Sequence, residues 1–200
     1  MSQYYLAREA QYQPGDKRVC REGTREGLLF GIELWAQDRN GPPICWLTGP
    51  HRSGKSTIAR TIAEKMTKNG SLGASFFCTG RFSFKAPSDT FVIVPTLAFQ
   101  LAQNYSKFRS SLKVQPAYPS LEAQVNNMIV RPLKESAIST LIIIDALDAC
   151  EDEERMVSLL GRLASEAPKV KFFITSRPEP GIRSSLDGWK VPVFYLDCES

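Results

Sequence analysis

The stretch Gly49-Pro50-His51-Arg52-Ser53-Gly54-Lys55-Ser56 fits the pattern G-x-x-x-x-G-K-[ST]. Glycines at these positions let a chain fold back so that successive backbone N–H groups point inward, where they hold phosphate oxygens. The N-terminus of a following helix adds partial positive charge. Lys55 is then placed to reach phosphate and Ser56 to reach a Mg²⁺ ion, with Thr57 next in the same turn. His51, the only histidine, and Arg52 fill variable positions of the loop, and His51 reads as a solvated loop residue.

Binding phosphate is not turnover, which also requires a carboxylate to hold the metal and a group acting on the attacking water or the transferred phosphate. In "LIIIDALDAC" four apolar residues form a buried strand ending in Asp145. Open α/β sheets place ligand groups at such strand ends. Asp148 is a second acid near the same mouth, or else a solvated, helix-capping one. In "KFFITSRPEP" another buried strand runs to Thr175-Ser176-Arg177 before Pro178 stops it. Arg177 can neutralise a γ-phosphate there, or pair with Glu179 or a neighbouring acid.

The elements that must position these groups follow from periodicity. Leu28, Leu29, Ile32, Trp35 and Ala36 recur at helical spacing after Thr24, a plausible N-cap. Ile44–Thr48 is a short apolar run, and Ile58, Ala59, Ile62, Ala63 and Met66 stripe a helix that stops at Asn69-Gly70. So the phosphate loop sits between strand and helix. Further strands are expected over 74–79, 141–145, 170–175 and 191–196, with helices from Pro95 to about Leu112, Ser120 to Val130 and Glu153 to Ser165. Five apolar strands alternating with helices predict a mostly parallel sheet covered on both faces.

Two hundred residues, 42% hydrophobic, suffice for one domain with a proper core. Residues 1–22 are polar and read as a loosely ordered lead-in, with the domain spanning 23–200. The net charge is +4, with Lys and Arg scattered among nearly as many acids, which argues against a nucleic-acid partner. No stretch reaches the roughly 18 apolar residues of a membrane helix. Five cysteines at irregular spacing, Cys20, Cys45, Cys78, Cys150 and Cys198, suit a reducing cytoplasmic setting, and those in apolar runs read as small buried hydrophobes.

The segments "C-x-x-GTR-x-x-LL-x-x-I-x-x-WA" (20–36), "WLTGPHRSGKSTIARTIAE", "LGASFFCTGRFS", "PTLAFQLAQ", "LIIIDALDAC" and "FFITSRPEP" together resemble the NACHT-type nucleotide-binding domain of signal-transduction (STAND) ATPases. The resemblance is to the nephrocystin-like form common in fungal NOD-like receptors. It covers the chain from about residue 20 to 196 and implies a P-loop NTPase three-layer sandwich with sheet order 5-1-4-3-2. It implies that Gly49 to Thr57 hold ATP or GTP with Mg²⁺, that Ser56 and Asp145 are the metal residues, that Asp148 belongs to the catalytic mouth, and that Arg177 is part of the sensor. It also places Thr24 and Arg25 near the adenine, although a helix cap explains Thr24 equally well.

Two departures matter. Ala149 follows Asp148 where such domains usually carry a glutamate that positions water, and Glu151 lies two residues further on. Weak or absent hydrolysis is therefore expected. The chain also stops just after the fifth strand, without the helical and winged-helix subdomains of full-length receptors, so it reads as an isolated or truncated module.

Three functions are compatible with these features. One is a nucleotide-responsive switch whose ligand state alters self-association. Another is a non-catalytic protein that docks onto a full-length NACHT relative. The phosphate-loop block is also similar to that of adenylylsulfate kinases, but no acceptor-binding or lid motif of that family follows, and a small-molecule kinase has the least support.

Overall fold

The computed structural model describes residues 6–78, 90–115, 118–150, 153–187 and 189–197. The expected strand end at Thr79, Glu151 and Cys198 lie outside these residues. Strands β1 (Ile44–Thr48), β2 (Leu72–Phe77), β3 (Thr140–Asp145), β4 (Val170–Ser176) and β5 (Val193–Tyr195) form one sheet. Its order is β2-β3-β4-β1-β5 and every neighbouring pair is parallel, the arrangement expected by resemblance.

Successive residues of a strand face opposite sides, and here both sides are apolar, which is why the strands read as unbroken hydrophobic runs. Ile44, Trp46, Phe76, Ile142, Ile144, Phe172 and Ile174 belong to one core. It is covered by α3 (Thr90–Asn104), α5 (Leu121–Val125), α6 (Arg131–Ser136), α7 (Glu153–Glu166) and α8 (Pro180–Leu186). Cys45, Leu47, Phe77, Leu141, Ile143 and Phe173 belong to the other, under α1 (Glu26–Gln37) and α2 (Lys55–Lys68). At roughly 25 cal/mol per Å² of apolar surface removed from water, these two cores dominate the favourable side of folding.

Several elements differ from the periodicity. The helix expected from Pro95 to Leu112 is two, α3 and α4 (Ser106–Ser111), and Pro95 lies inside α3. Proline brings no N–H for the carbonyl four residues back. That carbonyl, of Phe91, instead accepts from Gln124 Nε2 at 3.5 Å. Between α5 and α6 the chain passes through a π-helical turn, Asn126–Val130, so the helical path runs six residues past the expected Val130. Ser120 caps its start by accepting from the Ala123 N–H. Helix α8 is an addition, opened by Pro180 in its first turn.

The polar lead-in is anchored. Ala7 and Ala10 are buried in the first core and Tyr12 in the second. Tyr12 N–H donates to Ser75 Oγ at 2.8 Å, Ala7 N–H to Thr96 Oγ1 at 3.1 Å, and Cys20 N–H to Thr61 Oγ1 at 2.8 Å. Strand β2 lies at one edge of the sheet, yet its backbone is paired there too. Gln100 accepts from Ser75 N–H at 2.9 Å and donates to Ser75 C=O at 2.8 Å, while Asn104 Nδ2 donates to Gly73 C=O at 2.9 Å.

Candidate functional site

The loop 49–54 leaves β1 at the carboxyl end of the sheet and feeds directly into α2, whose N-cap is Gly54. Two of its turns admit only glycine. Gly49 has φ +154°, and a Cβ there would run into the Leu196 carbonyl. Gly54 has φ +97°, and a Cβ would lie 2.7 Å from Arg25 Nη1. Arg52 also adopts a left-handed conformation, φ 61°, and it and His51 are exposed at the tip of the loop.

Lys55 is buried, and its ammonium turns back into the loop. Nζ donates to Gly49 C=O at 2.7 Å, Pro50 C=O at 2.6 Å and Ser53 Oγ at 3.3 Å. A cation enclosed by carbonyl oxygens marks the place where phosphate oxygens are better acceptors, because charge-assisted bonds are the stronger ones. Pro50, Ser53, Ser56 and Thr57 line the same turn of chain.

Strand order brings Asp145 to this loop. Its carboxylate, only 2% exposed, receives a 2.5 Å hydrogen bond from Thr175 Oγ1, and the Ser56 side chain lies near enough to favour its charged form. Burial pushes the Asp145 carboxyl above its usual range, and the Thr175 hydrogen bond, the Ser56 side chain and the charges of Arg60 and Lys55 pull it back. Thr175 is one step beyond the Ile144–Ile174 register pair of β3 and β4. Its hydroxyl also accepts from the Ala146 N–H at 3.0 Å, fixing the left-handed turn at Ala146, φ 56°. The sequence reading missed this residue, whose only signal was its place at the end of a strand destined to lie beside Asp145. The Ser56 hydroxyl and the Asp145 carboxylate are hard oxygen donors of the kind that fits Mg²⁺.

Asp148 and Arg177 are also brought together, with each other. Arg177 Nε lies 2.6 Å from Asp148 Oδ2 and its backbone N–H donates to Asp148 Oδ1 at 2.9 Å, while Glu179 Oε1 is 3.5 Å from the same Nε. Hydrogen bonding to Asp148 pushes the Arg177 guanidinium upward. Ala149, in the short 3-10 turn Leu147–Ala149, is exposed.

Arg25 and Thr24 separate. Arg25 is itself the N-cap of α1, in a left-handed conformation, and its guanidinium lies on the phosphate loop, donating to Ser53 C=O at 3.0 Å. Thr24 is exposed, and its hydroxyl donates to Arg21 C=O at 2.6 Å. The expected N-cap at Thr24 is therefore corrected: the helix starts later, and a left-handed residue at the cap position turns the chain. Arg60, which periodicity left unremarked, is buried behind the site with Nη1 3.9 Å from Asp145 Oδ2.

A parallel sheet in this order, with a phosphate loop after β1 and an acid ending β3, defines the P-loop NTPase fold. The family model described as nephrocystin 3, N-terminal, matches residues 23–177, and the chain belongs to that family. No curated protein sequence matches it. Among solved structures it is similar to the Walker-type ATPase PABY2304 of Pyrococcus abyssi, with TM-score 0.57, 14% identity, and coverage of 86% of this chain and 53% of that one. A structure of Drosophila ORC bound to DNA gives TM-score 0.60 at 14% identity, covering 88% and 43%. The Aeropyrum pernix ORC1 protein in complex with DNA gives 0.52 at 17%, covering 90% and 47%. The likeness is one of fold, and the chain spans about half the length of these proteins. No helix among the described residues is long and apolar enough to cross a membrane.

Proposed function

We propose that residues 23–200 form a module that binds ATP or GTP with Mg²⁺ and acts as a switch of the NACHT, or STAND, class in a reducing cytoplasmic setting, its nucleotide state altering self-association. The observation that carries this reading is the junction of loop and sheet: Lys55 enclosed by the loop, and the Ser56 side chain beside the buried Asp145 carboxylate, near enough to favour its charged form. In this reading Gly49, Pro50, His51, Arg52, Ser53, Gly54 and Thr57 surround the phosphates, Ser56 and Asp145 hold the metal, and Arg25 serves the same loop. Mg²⁺, when bound, would supply charge neutralisation for the phosphates, while the chain's own residues orient them.

Weak or absent hydrolysis belongs to the same reading. Exposed Ala149 offers no carboxylate to orient water, and Arg177 is engaged by Asp148. Those two observations also favour a second reading, in which the module is non-catalytic and docks onto a full-length NOD-like receptor. Titration of the protein with fluorescent ATP and Mg²⁺, beside Lys55→Ala, with phosphate release followed in the same samples, tests both. Lys55-dependent binding with little or no release supports the switch. Unchanged affinity in Lys55→Ala overturns it, and no binding by a folded wild type favours the docking protein.

A further inference from the structure

Arg60 projects from α2 into the second core, stacked over the Phe77 ring with its guanidinium carbon 4.0 Å from the ring centroid. It stands between two carboxylates. Nε lies 3.0 Å from Asp16 Oδ2, a full hydrogen bond, whereas Nη1 stays 3.9 Å from Asp145 Oδ2, too far for one. A weaker contact of 3.5 Å joins Nη1 to the Ser56 carbonyl. The Arg60 and Asp16 side chains are each 9% exposed and that of Asp145 is 3% exposed. Asp16 is itself fixed by Arg18, which donates from its backbone N–H at 3.0 Å, from Nε at 2.9 Å and from Nη2 at 2.7 Å.

A buried guanidinium beside a metal carboxylate has two opposite effects. It compensates the carboxylate's charge, but in full contact it repels and displaces the cation that the carboxylate is there to hold. The intervening distance decides between them. Asp16, from the polar lead-in 44 residues before Arg60, takes the guanidinium's best hydrogen bond and so keeps it short of Asp145.

Building on the proposed Mg²⁺ nucleotide site, we propose that Asp16 is a positioning residue that acts through Arg60: it holds the guanidinium off Asp145 and leaves that carboxylate available to Mg²⁺. Displacement of the lead-in releases Arg60 onto Asp145 and lowers the site's hold on the metal. The segment before the domain thereby controls the metal requirement of nucleotide binding, a role that its composition does not suggest.

The test measures fluorescent ATP affinity from EDTA to millimolar Mg²⁺ for wild type, Asp16→Asn, Arg60→Gln and the double variant, with thermal unfolding of each. Asp16→Asn is expected to raise the half-saturating Mg²⁺ concentration by about tenfold, from closing the charge separation by roughly an ångström at an effective dielectric near 20, and to leave affinity in EDTA unchanged. Arg60→Gln in the Asp16→Asn background is expected to restore the wild-type Mg²⁺ dependence, a rescue that loss of packing alone does not produce. Unchanged Mg²⁺ dependence in Asp16→Asn, or a double variant as impaired as the single one, overturns the relay while leaving nucleotide binding in place. Absence of nucleotide binding by folded wild type overturns the reading of the site and the relay with it.

Discussion

Arg177 gives both its backbone N–H and its guanidinium to the Asp148 carboxylate, at 2.9 and 2.6 Å. The two residues proposed for catalysis therefore hold the loop after β3 against the end of β4. An arginine so engaged would have to break a charge-assisted pair before it could act on a phosphate.

The two halves of this pair are unequal. Arg177 is about half exposed, so Arg177→Ala is expected to cost little stability, as for other solvent-screened pairs. Asp148→Ala also strips the partner from the Arg177 N–H, and should cost more than Arg177→Ala. Urea unfolding midpoints of the two variants measure the difference, and equal costs would contradict it.

Thr175→Val keeps the side chain's shape and removes the hydroxyl that bridges Asp145 and the Ala146 N–H. A buried acceptor deprived of its donor costs about 1–3 kcal/mol. Thr175→Ser should recover most of that loss. Chemical denaturation of the pair checks the prediction, which fails if valine and serine behave alike.

Gly49→Ala sets a methyl against the Leu196 carbonyl at a backbone angle that L-residues rarely adopt. The expected loss is about 1–3 kcal/mol of stability, together with loss of ATP binding. Calorimetry and the fluorescent titration read the two effects separately. A fully stable, binding-competent alanine variant would show that the loop takes another path.

Acid should reveal Asp16. Hydrogen bonding to Arg18 holds its carboxyl well below the usual range, with the Arg60 charge adding to the effect. A depressed folded-state value stabilises the fold above the unfolded value of about 3.9, and this contribution is lost as pH falls through the folded one. The stability gap between wild type and Asp16→Asn is therefore expected to be constant from neutral pH down to about 5 and to shrink below about 4. A gap that widens on acidification would mean that Asp16 is held by something other than its arginine partners.

The parts legible in the sequence were those carried by short-range pattern. The loop spacing from Gly49 to Ser56, the apolar runs ending at Asp145 and Arg177, and the stripe on α2 each lie within a few residues, and strand order followed by resemblance. What escaped was long-range. Asp16 meets Arg60 across 44 positions, and Thr175 serves Asp145 across 30, so no local spacing signals either. Arg25 at a helix cap breaks the usual preference for a small polar residue, and its left-handed backbone aims its guanidinium onto the phosphate loop instead. Pro95 misled because Gln124, on a different helix, answers the carbonyl it leaves behind.

The side chains of Gln100 and Asn104 act as a false strand along β2, filling the sites where a real one would bond. Newcomers can extend this sheet on that side only by evicting two amides one helical turn apart. At the opposite border β5 has β1 as its one strand neighbour among the described residues, and its Val193 and Tyr195 side chains are 50% and 59% exposed. Sheet growth, whether as productive assembly or as aggregation, is thus given a polarity: among the described residues it is sealed at the border nearest the lead-in and open at the border beside the phosphate-loop strand.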